Sequence, residues 1–122
     1  MDKPLRVAVY CRVGNPDQLA LNMQKHSVCK YAVDKGYSVE AVVTEQTSGA
    51  RMERDGLRRI TDMAQSGEID AVVTMSCSRL GRNMVDLLNY TKVLQRENVA
   101  VNFMKEGIMS PRLVDILGAV TE

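Results

Sequence analysis

Five arginines define the chemistry open to this chain of 122 residues: Arg12, Arg51, Arg54, Arg79 and Arg82. A guanidinium is planar, permanently charged and forked, which suits bidentate contact with phosphate oxygens. Each of the five follows an apolar run. Arg12 comes directly after Leu5–Cys11, Arg51 and Arg54 come after Tyr37–Thr44, and Arg79 and Arg82 come after Ile69–Met75. If those runs are strands of one parallel sheet, all five lie at its carboxyl edge, where open α/β sheets bind ligands. Several guanidiniums on one edge repel one another, so an anion between them is the natural reading, and a phosphodiester is the candidate. The plainer reading, that these arginines are exposed and solvated, stands beside it.

The other reactive side chains point to less. Cys11, Cys29 and Cys77 are odd in number and lack paired spacing, so they read as free thiols in a reducing compartment, the cytoplasm. His26 and Cys29 have a spacing that could hold a metal, but a zinc site needs about four ligands, so neither a metal nor another cofactor is expected. Strand alternation puts Val7, Val9 and Cys11 on one face and Ala8, Tyr10 and Arg12 on the other. Cys11 is then a core residue, and Tyr10 packs or orients. Ser48, before Gly49, reads as a turn residue. No G-x-G-x-x-G or G-x-x-x-x-G-K is present, which argues against dinucleotide and P-loop sites. A phosphoacceptor receiver would need paired acids after the first strand; Arg12-Val13-Gly14 stands there instead.

The elements that must position these residues follow from periodicity. Leu5–Cys11, Tyr37–Thr44, Ile69–Met75 and Val99–Met104 read as strands. A helix is expected from about Asp17 to Lys35, with Leu19, Met23, Val28, Tyr31 and Ala32 as its buried stripe, Pro16 at its start and Gly36 after its end. Leu57, Ile60, Thr61 and Ala64 mark a second helix, and Met84, Leu87, Leu88, Thr91, Val93 and Leu94 a third. Glu45–Glu53 and Ser76–Gly81 read as loops, Ile108–Ser110 as a short edge strand, and a last helix starts near Pro111 or Arg112. The order predicts a three-layer α/β/α fold on a mainly parallel four- to five-stranded sheet of flavodoxin-related topology, its short last strand open to an antiparallel run. The length suits a single domain, and no apolar run approaches the ~20 residues of a membrane span. The net charge of +1 at face value argues against a nucleic-acid binder, but it averages a local arginine cluster with an acidic remainder.

In order along the chain, Tyr10-Cys11-Arg12-Val13, Ser48-Gly49 with Arg54-Asp55-Gly56-Leu57, Ser78-Arg79-Leu80-Gly81-Arg82-Asn83 and Gly107-Ile108 resemble the motifs Y-x-R-V-S, S-G…R-P/K-G-L, D-R-L-G/S-R-N/D and G-I-x-[ST] of the serine recombinases, the resolvase/invertase family. The match covers nearly the whole chain. The resemblance implies a catalytic domain for site-specific DNA recombination. In the family a serine attacks a phosphodiester, forms a 5′-phosphoserine link and frees a 3′ hydroxyl, with no metal or nucleotide cofactor. It implies double-stranded DNA as partner and a dimer or tetramer of the full-length protein, with no membrane. Carried over by position, Arg12, Arg54, Arg79 and Arg82 surround the scissile phosphate, Gln18 matches a polar residue nearby, and Glu45 matches an acid before the mobile loop. Residues 1–110 correspond to the catalytic-type domain and 111–122 to the start of the long dimerisation helix, the DNA-binding domain being absent from this chain.

Two positions depart from the family pattern. Gly14 stands where the family has its serine nucleophile, and Ser78 where it usually has aspartate. A glycine has no hydroxyl, so covalent catalysis from this position is impossible. The expectation is a cleavage-inactive recombinase domain. The alternative is a non-catalytic, DNA-associated oligomerisation module of a mobile element.

Overall fold

A computed structural model describes residues 3–47, 54–81 and 83–109. Along the chain run β1 (Arg6–Val13), α1 (Gln18–Asp34), β2 (Ser38–Gln46), α2 (Asp55–Gln65), β3 (Ala71–Thr74), α3 (Cys77–Leu80), α4 (Met84–Arg96), β4 (Ala100–Phe103) and β5 (Gly107–Met109). The sheet order is β2-β1-β3-β4-β5; β1 to β4 are parallel and β5 pairs antiparallel with β4. This is the predicted α/β fold, with the edge strand antiparallel. The last helix, expected from residue 111 onward, lies outside the described residues, as do Ser48, Arg51 and Arg82.

β1 and β3 are central and covered on both faces, which is why their sequences are almost continuously apolar. On one face Val7, Val9, Cys11, Ala71 and Val73 pack against Leu21, Val28 and Ala32 of α1. On the other, Ala8, Tyr10, Val72 and Val101 pack against Leu57, Ile60 and Ala64 of α2 and Leu87, Leu88 and Leu94 of α4. The alternation read from the β1 sequence is therefore observed, and Cys11 is fully buried.

Two expectations change. The inner face of α1 is Leu21, Gln24, Val28 and Ala32, whereas Leu19 is 70% and Met23 63% exposed. The buried set follows the i, i+3, i+4 rule; Leu19 and Met23 belong to the row on the outer face. Pro16 lies before the helix, which Asp17 caps by accepting from the Ala20 backbone N–H at 3.0 Å. Gly36, at φ +81°, turns the chain out of it. Second, the expected loop Ser76–Gly81 contains one helical turn, α3, anchored by the fully buried Leu80. A four-residue helix is too short to show a period.

Candidate phosphodiester site

The carboxyl ends of β1, β2 and β3 meet at one place, and the backbone there is fixed before any charged group is considered. Gln24 of α1 is buried beneath the end of β1. Its side chain accepts from the Arg12 N–H at 2.9 Å and donates to the Arg12 carbonyl at 3.0 Å. A side-chain amide thus takes the place of a neighbouring strand and holds the last residues of β1.

Arg12 is only 6% exposed. Its Nε donates to the Arg79 carbonyl at 2.9 Å, Nη1 to the Thr47 carbonyl at 2.9 Å and Nη2 to the Ser78 carbonyl at 2.7 Å. Burial, and next the nearby Arg54 charge, draw this guanidinium below its ordinary value. Arg54 is 4% exposed, and donates from Nη1 to the Tyr10 hydroxyl at 2.7 Å and the Arg79 carbonyl at 3.2 Å, and from Nη2 to the Leu80 carbonyl at 2.5 Å. The plainer reading of the arginines, exposed and solvated, does not hold for this pair. They are not solvated, and they need no anion to be stable, because backbone carbonyls accept their hydrogen bonds. A buried charge is tolerated when it is fully hydrogen-bonded.

Tyr10 and Glu45 complete the inner layer. The Tyr10 hydroxyl donates to Glu45 Oε2 at 2.6 Å, and Glu45 Oε1 accepts from the Gly56 N–H at 2.8 Å. Burial first, then the bond to Glu45, push the Tyr10 phenol well above its ordinary value. Tyr10 therefore orients its neighbours, as expected, and stays protonated.

The outer layer carries Gly14, Ser78, Arg79 and Gln18. Gly14 is exposed, and among the described residues a Cβ added there would meet nothing nearer than Arg12 Nη1, at 3.9 Å. The Ser78 hydroxyl pairs with that of Ser76 at 2.9 Å. Arg79 is half-buried, and its Nε is buried with no hydrogen-bond partner among the described residues. Gln18 joins α1 to the end of β2: it accepts from Gln46 at 2.9 Å and donates to Asn22 at 2.9 Å.

The structure thus brings Arg12, Gly14, Glu45, Arg54, Ser78 and Arg79 to one edge, with Gln18 at its border. It adds two residues that sequence reasoning missed, Gln24 and Gly56. Gln24 had a signal, a polar residue within the spacing of the buried face of α1. Gly56 had its place in the R-P/K-G-L motif as a signal, but not its role, which comes from the carboxylate packed against it.

The family described as Resolvase, N terminal domain, matches residues 7–122. The Tn3 resolvase of Escherichia coli is 28% identical over 123 residues, covering 97% of this chain and 63% of that protein. The DNA-invertase of transposon Tn552 from Staphylococcus aureus is 34% identical over 99 residues, 81% of this chain and 47% of that protein. The chain therefore spans less than two thirds of the length of these relatives. Among solved structures, the N-terminal catalytic domain of TP901-1 integrase superposes with a TM-score of 0.85 at 26% identity, covering 95% of this chain and 93% of that one. A resolvase family site-specific recombinase from Streptococcus pneumoniae shares the fold, with a TM-score of 0.81 at 22% identity over 96% of this chain and 85% of that one.

Proposed function

Since the chain belongs to the resolvase N-terminal domain family, the catalytic domains of serine recombinases, we propose that it engages DNA phosphodiesters without cleaving them. The observation that carries this reading is the geometry at Gly14. The space for a side chain lies beside the Arg12 guanidinium, where an attacking hydroxyl would face a stabilised phosphate, and among the described residues that space is open. Neither the cysteines nor the tyrosine described at this edge supplies a ready replacement for the missing hydroxyl. The Cys11 thiol is fully buried and pushed up to about 12, by burial above all, so it carries almost no thiolate at neutral pH. Burial, with Glu106 next, raises Cys77 to about 11. Tyr10 is held protonated by burial and by Glu45.

On this reading the phosphate is met by Arg12, which faces the Gly14 space, and by Arg79, whose buried Nε has a proton to donate. Arg82 adds to them by family position. In phosphoryl transfer such groups act by positioning and by stabilising charge on the equatorial oxygens. The partner is double-stranded DNA, engaged by a dimer or tetramer of the full-length protein. The three free cysteines go with a cytoplasmic setting. Among the described residues no helix is long and apolar enough to cross a membrane.

The test is restoration in the full-length protein. Gly14→Ser, alone and with Ser78→Asp, is incubated with a cognate recombination site, and a covalent protein–DNA adduct is sought on a denaturing gel. Adduct from the double variant and none from the parent is the expected result. A double variant that binds DNA and forms no adduct would favour the oligomerisation module.

A further inference from the structure

Arg54 differs from Arg12 in its surroundings: both donate to backbone carbonyls, but Arg12 Nη1 borders the Gly14 space, whereas Arg54 Nη1 is bound to the Tyr10 hydroxyl. The Arg54 acceptors among the described residues are the Tyr10 hydroxyl and the carbonyls of Arg79 and Leu80, the peptides on either side of Leu80. The Arg79 carbonyl is shared with Arg12 Nε, so two guanidiniums converge on the backbone of α3. Arg54 is itself the N-cap residue of α2, and Gly56 is in the first turn of that helix. The Gly56 N–H holds Glu45, Glu45 holds Tyr10, and Tyr10 holds Arg54, closing a ring. The ring requires glycine: an added Cβ at residue 56 would lie 2.5 Å from Glu45 Cδ.

We infer that Arg54 is a positioning residue: seated by Tyr10, Glu45 and Gly56, it acts through the carbonyls of Arg79 and Leu80 to hold the α3 turn that presents the Arg79 side chain, and it does not touch the phosphate. This rests on the reading of Arg79 as a phosphate contact. A phosphate ligand must turn N–H groups toward the anion. The described Arg54 N–H groups turn instead toward the Tyr10 hydroxyl and the α3 backbone in an almost wholly buried side chain; Arg12 too donates to carbonyls, but its Nη1 lies 3.9 Å from where a side chain at residue 14 would begin. The resemblance to the family groups Arg54 with the phosphate-binding arginines; the geometry separates it from them.

The experiment follows the arginine Nε–H resonances of the 15N-labelled chain by NMR, with sodium sulfate as the probe against chloride at matched ionic strength. Sulfate is expected to move the Arg79 resonance saturably and to leave Arg54 in place. Tyr10→Phe removes the bridging hydroxyl and no guanidinium. It should weaken the Arg79 response to sulfate several-fold and speed hydrogen exchange at the Arg79 and Gly81 amides, whose acceptors are the Ser76 and Cys77 carbonyls within the α3 turn. Gly56→Ala should do the same, and should add nothing in a Glu45→Ala background. An Arg54 resonance that moves with the same midpoint as Arg79 would overturn the inference. So would a Tyr10→Phe variant with an unchanged Arg79 response. If no arginine responds to sulfate, the phosphate reading fails instead, and amide exchange at Arg79 and Gly81 decides the positioning role. Exchange unaltered by Tyr10→Phe and Gly56→Ala then counts against it.

Discussion

At residue scale, the site contains two glycines with opposite requirements. Gly14 is exposed, its φ lies outside the left-handed region, and an added Cβ finds open space. Gly14→Ser should therefore leave stability unchanged within about 0.5 kcal/mol, as surface substitutions usually do, which a urea titration checks. Gly56 is crowded. In an ordinary helix Gly→Ala gains roughly 0.5–1 kcal/mol, but here the methyl group would meet Glu45 Cδ at 2.5 Å. Gly56→Ala is expected to destabilise, by about 1–3 kcal/mol as overpacking does. In a Glu45→Ala background the sign should reverse, because only the helix-propensity gain remains. Both glycines are plain in the sequence. That one is a vacancy and the other a seat is not, since the difference lies in what packs against each.

At the scale of elements, Gln24 joins α1 to the end of β1. Gln24→Ala leaves the buried N–H and carbonyl of Arg12 without their partners, which costs about 1–3 kcal/mol for an unsatisfied buried group. The loss should be local to the site, read as faster amide exchange at Arg12. By contrast, Leu19→Lys and Met23→Lys should be nearly silent in the same titration, since both side chains are on the outer face of α1. Of the stripe expected for this helix, Val28 and Ala32 are buried and Leu19 and Met23 are not, because apolar residues occur on both of its faces. Hydrophobicity then gives no direction, and the identity of the buried row depends on what the sheet offers beneath it. Helix α2 is less ambiguous: of the expected Leu57, Ile60, Thr61 and Ala64, all but the half-buried Thr61 are buried, together with Gly56.

At the scale of the whole molecule, a net charge of +1 coexists with an edge built from arginines. If Arg79 and Arg12 meet an anion there, sulfate at ten times its dissociation constant should stabilise the chain by about 1.4 kcal/mol through linkage. The measurement is the Tm in sulfate against chloride at equal ionic strength, and Arg79→Ala should abolish the difference. High pH tests the core. The buried Cys11 thiol is raised from 9.0 to about 12 and Tyr90 from 10.0 to about 12, and Tyr10 is raised too. A raised folded pKa means that the stabilisation is complete below the unfolded value and is lost as pH climbs toward the folded one. The urea midpoint should therefore hold up to about pH 9 and fall steeply between there and pH 12, with a shallower fall in Cys11→Ala.

The sequence by itself determined the order of strands and helices, the parallel core, the carboxyl edge as the place of Arg12, Arg54 and Arg79, and the absence of a nucleophilic side chain at Gly14. Those are local facts: periodicity, strand ends and residue identity are all readable within a short window. Only the tertiary structure decided what the arginines do. Arg12 reaches the carbonyls of Ser78 and Arg79, and Arg54 those of Arg79 and Leu80. Every residue carries a carbonyl, so no residue type announces which ones a distant guanidinium will find. That choice waits on the packing of β1, α2 and α3 against one another.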